Sequence, residues 1–172
     1  MPLRIRATTS AELERLLPAL VQLLCESVNG GASLGFLPGL TPDDGRTYWR
    51  SLHPELRAGH RLLLAAYAGD QLVGSGQLAL PSWPNARHRA ELQKLLVATA
   101  LRGRGVGRSL VAALHGAARR HGRSLIILNT RRGDPTETFY QGLGYQAVGI
   151  TPGYTIGPAG ERFDNLTLYH DL

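Results

Sequence analysis

Residues 101–110 read LRGRGVGRSL, three glycines and three arginines in ten positions, set between an apolar run and a helical pattern. Amides at a helix entrance have no intrahelical partner and sit at the positive end of the helix dipole. Glycine removes the side chains that would hold a phosphate away from those donors, and arginine adds charge-assisted, bidentate contacts. The stretch therefore reads as a site for a phosphate-bearing ligand. Two common phosphate signatures do not fit it. G-x-G-x-x-G fails because Arg108 stands where the third glycine is due, and ARRHGR (118–123) fills the region of the acidic ribose partner. The P-loop pattern fails at both ends, with Arg108 in place of its lysine and Arg102 in place of its first glycine.

The elements that would position this loop follow from periodicity. Leu3–Ala7 alternates as a strand, and Ser10 caps a helix over 11–28, where Leu13, Leu16, Leu17, Leu20, Leu24 and Val28 recur at helical spacing and Pro18 introduces a kink. Residues 29–39 form a glycine-rich loop. Thr41-Pro42-Asp43-Asp44 opens a second helix to about Arg57. A hairpin follows, with strands Arg61–Tyr67 and Leu72–Leu80 about the turn Gly69-Asp70. Arg87–Val97 is a long, partly alternating strand, and a helix runs from about Gly105 to His121 with Gly122 closing it. Leu125–Asn129 is apolar enough to be buried on both faces. Pro135–Leu143 is a short helix, and Tyr145–Ile150 and Phe163–Tyr169 are closing strands joined by the turn-rich TPGYTIGPAGE. The order β-α-α-β-β-β-α-β-α-β-β is a mixed α/β arrangement with a βαβ unit around the glycine loop.

Composition narrows the classes. Of 172 residues, 43% are hydrophobic and 19% charged, which suits a globular chain and excludes disorder. No apolar run approaches the roughly 20 residues of a membrane span, and MPLRIRATTS lacks the apolar core of an export signal. Cys25 stands alone on an apolar helical stretch and reads as a buried thiol. These features point to a cytoplasmic protein. The net charge of +6 invites a nucleic-acid reading, but Lys94 is the only lysine and the arginines are scattered, a pattern suited to a small polyanion. The six histidines show no metal-ligand spacing and read as surface or strand-end residues, so no metal is expected.

Two motifs then combine. R-x-x-G-x-G, here Arg102 to Gly107 after a strand ending LLV, resembles the pyrophosphate-binding motif of the GNAT superfamily of N-acetyltransferases. FYQGLGY, Phe139 to Tyr145, resembles that family's second signature, in the family's order and spacing. HRAELQKLLV, the glycine loop and the TPGY…G segment are, more narrowly, similar to the tabtoxin-resistance type. The resemblance implies a single acetyltransferase domain over 1–172, with a mixed, mostly antiparallel twisted sheet of about seven strands and about four flanking helices. It also implies acetyl-CoA as co-substrate and direct transfer to the primary amine of a small molecule in a ternary complex. A protein N-terminus as acceptor and a non-catalytic acyl-CoA-binding module are the alternatives. No nucleic-acid or membrane partner is expected, and the oligomeric state is open, a homodimer included.

The site residues follow from the same likeness. Backbone of Leu95, Leu96 and Val97 would pair with the pantetheine arm. Arg102, Gly103, Arg104, Gly105, Val106, Gly107, Arg108 and Ser109 would hold the pyrophosphate. Asn129 would sit near the thioester, and Phe139 would pack on the cofactor arm. Glu91 is the candidate base: strict alternation would put Glu91, Gln93, Leu95 and Val97 on one face. The alternative for Glu91 is a solvent-exposed glutamate or one paired with Arg87 or Arg89. Tyr140 matches the family's general acid, the alternative being a core tyrosine. Gly133 stands where the family often has asparagine, and Asn129 where the tabtoxin-resistance type has an acidic residue. Trp83 and Tyr48-Trp49 are further candidates for the acceptor pocket, with packing roles as the alternative, and the loop 29–39 and second helix are expected to wall it.

Overall fold

The computed structural model describes residues 3–172. Strand β1 (Leu3–Thr8) leads to helices α1 (Ser10–Asn29), α2 (Pro42–Ser51) and α3 (His53–Arg57). Then come β2 (Arg61–Ala68), β3 (Gln71–Ala79), β4 (Arg89–Val97), α4 (Val106–Arg120), β5 (Leu125–Arg131), α5 (Pro135–Gln141), β6 (Gln146–Ile156) and β7 (Arg162–Asp171). The seven strands form one sheet in the order β1-β2-β3-β4-β5-β7-β6. Every pairing is antiparallel except β4 with β5. This is the mixed α/β architecture expected from the sequence.

Local chemistry moves several boundaries. Thr9, not Ser10, caps α1: its hydroxyl accepts from the Glu12 amide while the Glu12 carboxylate accepts from the Thr9 amide. The helix then runs through Pro18 as one element. The second helix breaks at Leu52 into α2 and α3. Strand β5 is not buried on both faces, since Asn129 is exposed and Ile127 only half-buried. Strand β6 absorbs TPGYTI, expected as part of a connection, by pairing Thr155 and Ile156 with Phe163 and Arg162 beyond an irregularity at Thr151.

Two cores lie on opposite faces of the sheet. Leu110, Val111, Leu114 and Ala118 of α4 pack on Leu64, Val73, Leu78, Leu92, Ile126 and Leu128. Leu13, Leu17, Leu20 and Leu24 of α1, with Trp49 of α2, pack on Leu63, Ala65, Tyr67 and Leu96. Gly74 and Gly76 let α4 approach closely, because a Cβ there would stand 3.0 Å from Leu110 Cδ1 and 2.8 Å from Leu114 Cδ1 respectively.

Strand β4 contains the feature that shapes the site. Its register with β3 runs from Gln77↔Gln93 to Ser75↔Leu96, so an extra residue bulges from β4, and Lys94 there takes φ 48°. The bulge inverts the alternation. Leu92, Leu95 and Val97 pack with the α4 core, whereas Leu96 packs with the α1 core. Glu91 and Gln93, alternating with Leu92, therefore face the α1 side, opposite Leu95 and Val97. The single shared face expected for Glu91, Gln93, Leu95 and Val97 is thus corrected by one inserted residue.

Candidate active site

Strands β4 and β5 pair over only three positions, Arg89↔Leu125, Ala90↔Ile126 and Glu91↔Ile127. Beyond Glu91 they part, so Leu92–Val97 has no strand partner on that edge. A cleft opens through the sheet between them. Its larger part, about 670 Å³, is lined by Leu95, Val97, Arg102, Gly103, Gly105, Gly107, Arg108 and Phe139, with Gly30–Leu34 across from them. Its smaller part, about 300 Å³, is lined by Glu91, Lys94, Asn129, Arg131, Tyr154 and Asp164 among others. Ser33, Leu34, Leu95, Thr130, Thr136 and Tyr140 line both, so the two are continuous and Tyr140 stands at their junction.

At the floor of the larger part, α4 begins. Its first intrahelical bond runs from the Ser109 amide to the Gly105 carbonyl at 3.0 Å. The amides of Val106, Gly107 and Arg108 precede it and have no partner within the helix. Gly103 and Gly105 take φ 72° and 84°, a region costly for other residues, and a Cβ on either would meet no protein atom within 4 Å. The loop therefore keeps bare backbone and open space at a helix N-terminus, as a phosphate cradle requires. Gly107 is held differently: a Cβ there would come within 3.3 Å of Phe139 Cζ, so glycine lets that ring close over the start of α4.

The arginines divide. Arg102 Nε donates to the Val97 carbonyl and its Nη2 to Ser27 Oγ, both at 3.2 Å. Arg102, expected as a phosphate ligand, lines the cleft and also ties the loop to the end of β4 and to α1. Arg104, Arg108 and Ser109 are exposed, and of these only Arg108 lines the cleft. Val106 is buried, as is Leu96 on the opposite face.

Glu91 and Tyr140 both line the smaller cavity. Among the described residues no cation lies within ion-pair distance of Glu91, so the pairing with Arg87 or Arg89 weighed above is absent. Tyr140 is 7% exposed, and burial alone drives its phenol well above the usual range. The phenol stays neutral as a donor. Asn129 lines the smaller cavity and not the glycine-lined one, and its Oδ1 accepts from Asn165 Nδ2 at 2.9 Å and Thr167 Oγ1 at 2.8 Å. It therefore stands in the cavity of Glu91, beside the junction marked by Thr130 and Tyr140.

Other expectations are revised. Ser33, Leu34 and Gly35 of the 29–39 loop do wall the smaller cavity, but α2 contributes no lining residue; β6 and β7 supply the facing wall through Tyr154, Thr155, Asp164 and Asn165. Trp49 is core, and Trp83 is 74% exposed on a turn. His115 is buried, sharing a 2.8 Å hydrogen bond with Tyr145 and stacking on His170. Cys25 is half-buried, with Sγ 3.5 Å from the Thr41 carbonyl. Sequence reasoning passed over Lys94 and Arg131, which carry no motif; the lysine's uniqueness was their one visible signal.

A family model of the acetyltransferase (GNAT) family matches residues 32–145. The chain belongs to this family. Three solved structures show how widely the GNAT fold accounts for it. A ribosomal-protein-alanine N-acetyltransferase from Brucella melitensis is 26% identical, with 98% of this chain and 99% of that one covered and a TM-score of 0.80. A GCN5-related N-acetyltransferase from Kribbella flavida is 24% identical over 99% and 98%, with a TM-score of 0.78. An acetyltransferase structure from Salmonella typhimurium, solved with its cofactor acetyl-CoA, is 16% identical over 100% and 95%, with a TM-score of 0.77. In this GNAT chain Gly133, standing at the often-asparagine position, takes φ 76°, and its amide donates to Glu137 Oε2 at 2.9 Å.

Proposed function

We propose that the protein is one acetyltransferase domain that carries the acetyl group of acetyl-CoA to the primary amine of a small molecule, by direct attack where the two cavities meet. The parting of β4 from β5, with a helix N-terminus at one end and Glu91 and Tyr140 toward the other, carries this reading. The bare cradle at Gly103 and Gly105 fits a pyrophosphate, so the site and the ligand match. Bound acetyl-CoA supplies an acetyl thioester. The amides of Val106, Gly107 and Arg108 and the Arg108 guanidinium hold the pyrophosphate, with Arg104 and Ser109 at its mouth and Arg102 bracing the loop. The unpaired edge of Leu95–Val97 offers backbone groups to the pantetheine arm, and Phe139 packs beside it.

An amine of pKa about 10 reaches the site mostly protonated and must lose a proton to attack. The Glu91 carboxylate, free of ion pairs, accepts that proton directly or through a water. The Tyr140 phenol donates a hydrogen bond to the departing sulfur. Because burial raises its pKa, it serves as a neutral donor that spreads the sulfur's charge until the second proton, shed by the nitrogen as the C–S bond breaks, reaches the sulfur and CoA leaves as the thiol. The cavity of about 300 Å³ lies at the small end of ligand sites, roughly 300–1,000 Å³, which favours a compact acceptor. The likeness to the tabtoxin-resistance type supports the same choice.

Calorimetry with acetyl-CoA tests the cofactor half. Wild type is expected to bind, and Gly105→Glu, which puts a carboxylate into the cradle, to lose binding by at least ~100-fold. A well-folded wild type that binds no acetyl-CoA would sink the reading, and binding without turnover on any amine would leave a non-catalytic acyl-CoA module. One observation favours a second reading. The 26% likeness to a ribosomal-protein-alanine N-acetyltransferase makes a protein N-terminus the rival acceptor, and a hexapeptide beginning with alanine, assayed beside small amines, separates the two.

A further inference from the structure

The smaller cavity holds two cations that the transfer just described does not use. Lys94, on the bulge of β4, places its Nζ 5.6 Å from the ring centroids of both Phe36 and Tyr48. Among the described residues no carboxylate comes within ion-pair distance of it. Burial and the charge of Arg61 hold its pKa below the ordinary lysine range, with Glu91 opposing. From β5, Arg131 lines the same cavity, its guanidinium 3.9 Å above the Phe163 ring and its Nε buried with no hydrogen-bond partner.

The neighbouring charges are already committed. Arg61 is bound to Glu55 at 2.7 Å and donates to Gln77 and Gln93. Asp164 accepts from the Gly153 amide at 3.0 Å and lies 3.9 Å from Arg132. That leaves Lys94 and Arg131 uncompensated, against Glu91 as the one unpaired carboxylate. A simple alkylammonium would enter beside two unpaired positive charges and pair with only one group. An amine that brings its own anion would satisfy all three.

Resting on the reading of this cavity as the acceptor site, we propose that the acceptor is a compact amine bearing an anionic group, an amino acid carboxylate being the simplest case. Lys94 and Arg131 hold the anion while Glu91 meets the amine. The bulge is then a specificity device: it turns the only lysine of the chain into the cavity between two aromatic faces, where a regular strand would continue its alternation.

The test uses matched acceptors that differ only in the carboxylate: phenylalanine against 2-phenylethylamine, methionine against 3-(methylthio)propylamine, lysine against cadaverine. Each is assayed with acetyl-CoA by thiol release. The acid of each pair is expected to show a kcat/KM about 10- to 100-fold above its decarboxylated partner. In Lys94→Met that preference should collapse to within about two-fold through the KM of the acid, and Lys94→Arg should restore most of it; melting curves and acetyl-CoA binding verify that both variants fold. Equal or faster acetylation of the decarboxylated partners overturns this inference and leaves amine acetylation standing. A preference that survives in Lys94→Met overturns the role of the lysine. If no acceptor of either kind is acetylated while acetyl-CoA binds, the acceptor-site reading fails beneath it.

Discussion

Glu91 reaches the cleft by a route other than the one its spacing suggested. The alternation that placed it with Leu95 and Val97 is broken at Lys94, yet Glu91 lines the cleft because the strand partner on its β5 side ends with Ile127. No sequence signal marks a lysine at positive φ, so the inversion of β4 was illegible. Glycine at 103 and 105 was legible, since the positive φ at each favours it. Arg102 was half legible: the motif put it in the loop, but its bond to Ser27 depends on α1, 75 residues away in sequence. At this scale the prediction concerns Glu91 and Tyr140. Replacing a general base typically costs 10²–10⁴-fold, so Glu91→Gln is expected to lower kcat by at least about 100-fold while acetyl-CoA affinity, measured by calorimetry, stays within about two-fold. Tyr140→Phe keeps the ring that fills the core and removes only the donor. Its kcat should fall by about 10- to 100-fold with little change in melting temperature, and an unchanged kcat would strip Tyr140 of its part in the chemistry.

Helix α4 was the most legible element, because its glycine entrance, apolar spacing and closing Gly122 agree. What it buries was not. His115 lies on the inner face of α4, 9% exposed, against Tyr145 and His170. A histidine among alanines and leucines reads equally as surface from sequence alone; only the tyrosine of FYQGLGY folding under α4 decides. Likewise, the reach of β6 to Ile156 depends on pairing with β7, which no local propensity in TPGYTI announces. Burial, with smaller contributions from the charges of His170 and Arg119, pushes the His115 imidazole down to about 4 from its usual 6.5. A depressed pKa means that the unfolded chain binds the proton more readily. The stabilising contribution is therefore complete above pH 6.5 and is lost as pH falls toward 4. The loss is at most about 3 kcal/mol. Urea unfolding from pH 7 to pH 4.5 should show this decline in wild type and a shallower one in His115→Phe, with equal slopes counting against a buried neutral imidazole.

The described residues form a sheet with a core on each face and an opening where β4 leaves β5. That opening touches most of the structure: α1 through Ser27, the loop at Gly30–Leu34, α4 at its start, and α5 through Phe139 and Tyr140. A ligand seated there ties these parts together and binds only the folded chain. Binding to the native state alone stabilises by RT ln(1 + [L]/Kd), about 2.7 kcal/mol at 100 Kd. For a chain of this size each kcal/mol raises Tm by roughly 2–4 °C. Saturating acetyl-CoA is therefore expected to raise the melting temperature of wild type by about 5–10 °C. The phosphates meet a protein of net charge +6 and a loop with exposed Arg104 and Arg108, so the rise should shrink between low salt and 0.5 M salt as screening weakens both. Gly105→Glu separates the fold from the ligand in one experiment. The left-handed backbone at that position costs a residue with a side chain about 1–2 kcal/mol, so the ligand-free variant should melt several degrees lower. Because the new carboxylate fills the cradle, the same variant should show no further rise with acetyl-CoA. A shift in the variant as large as in wild type would mean that the phosphates lie elsewhere than on the glycine loop.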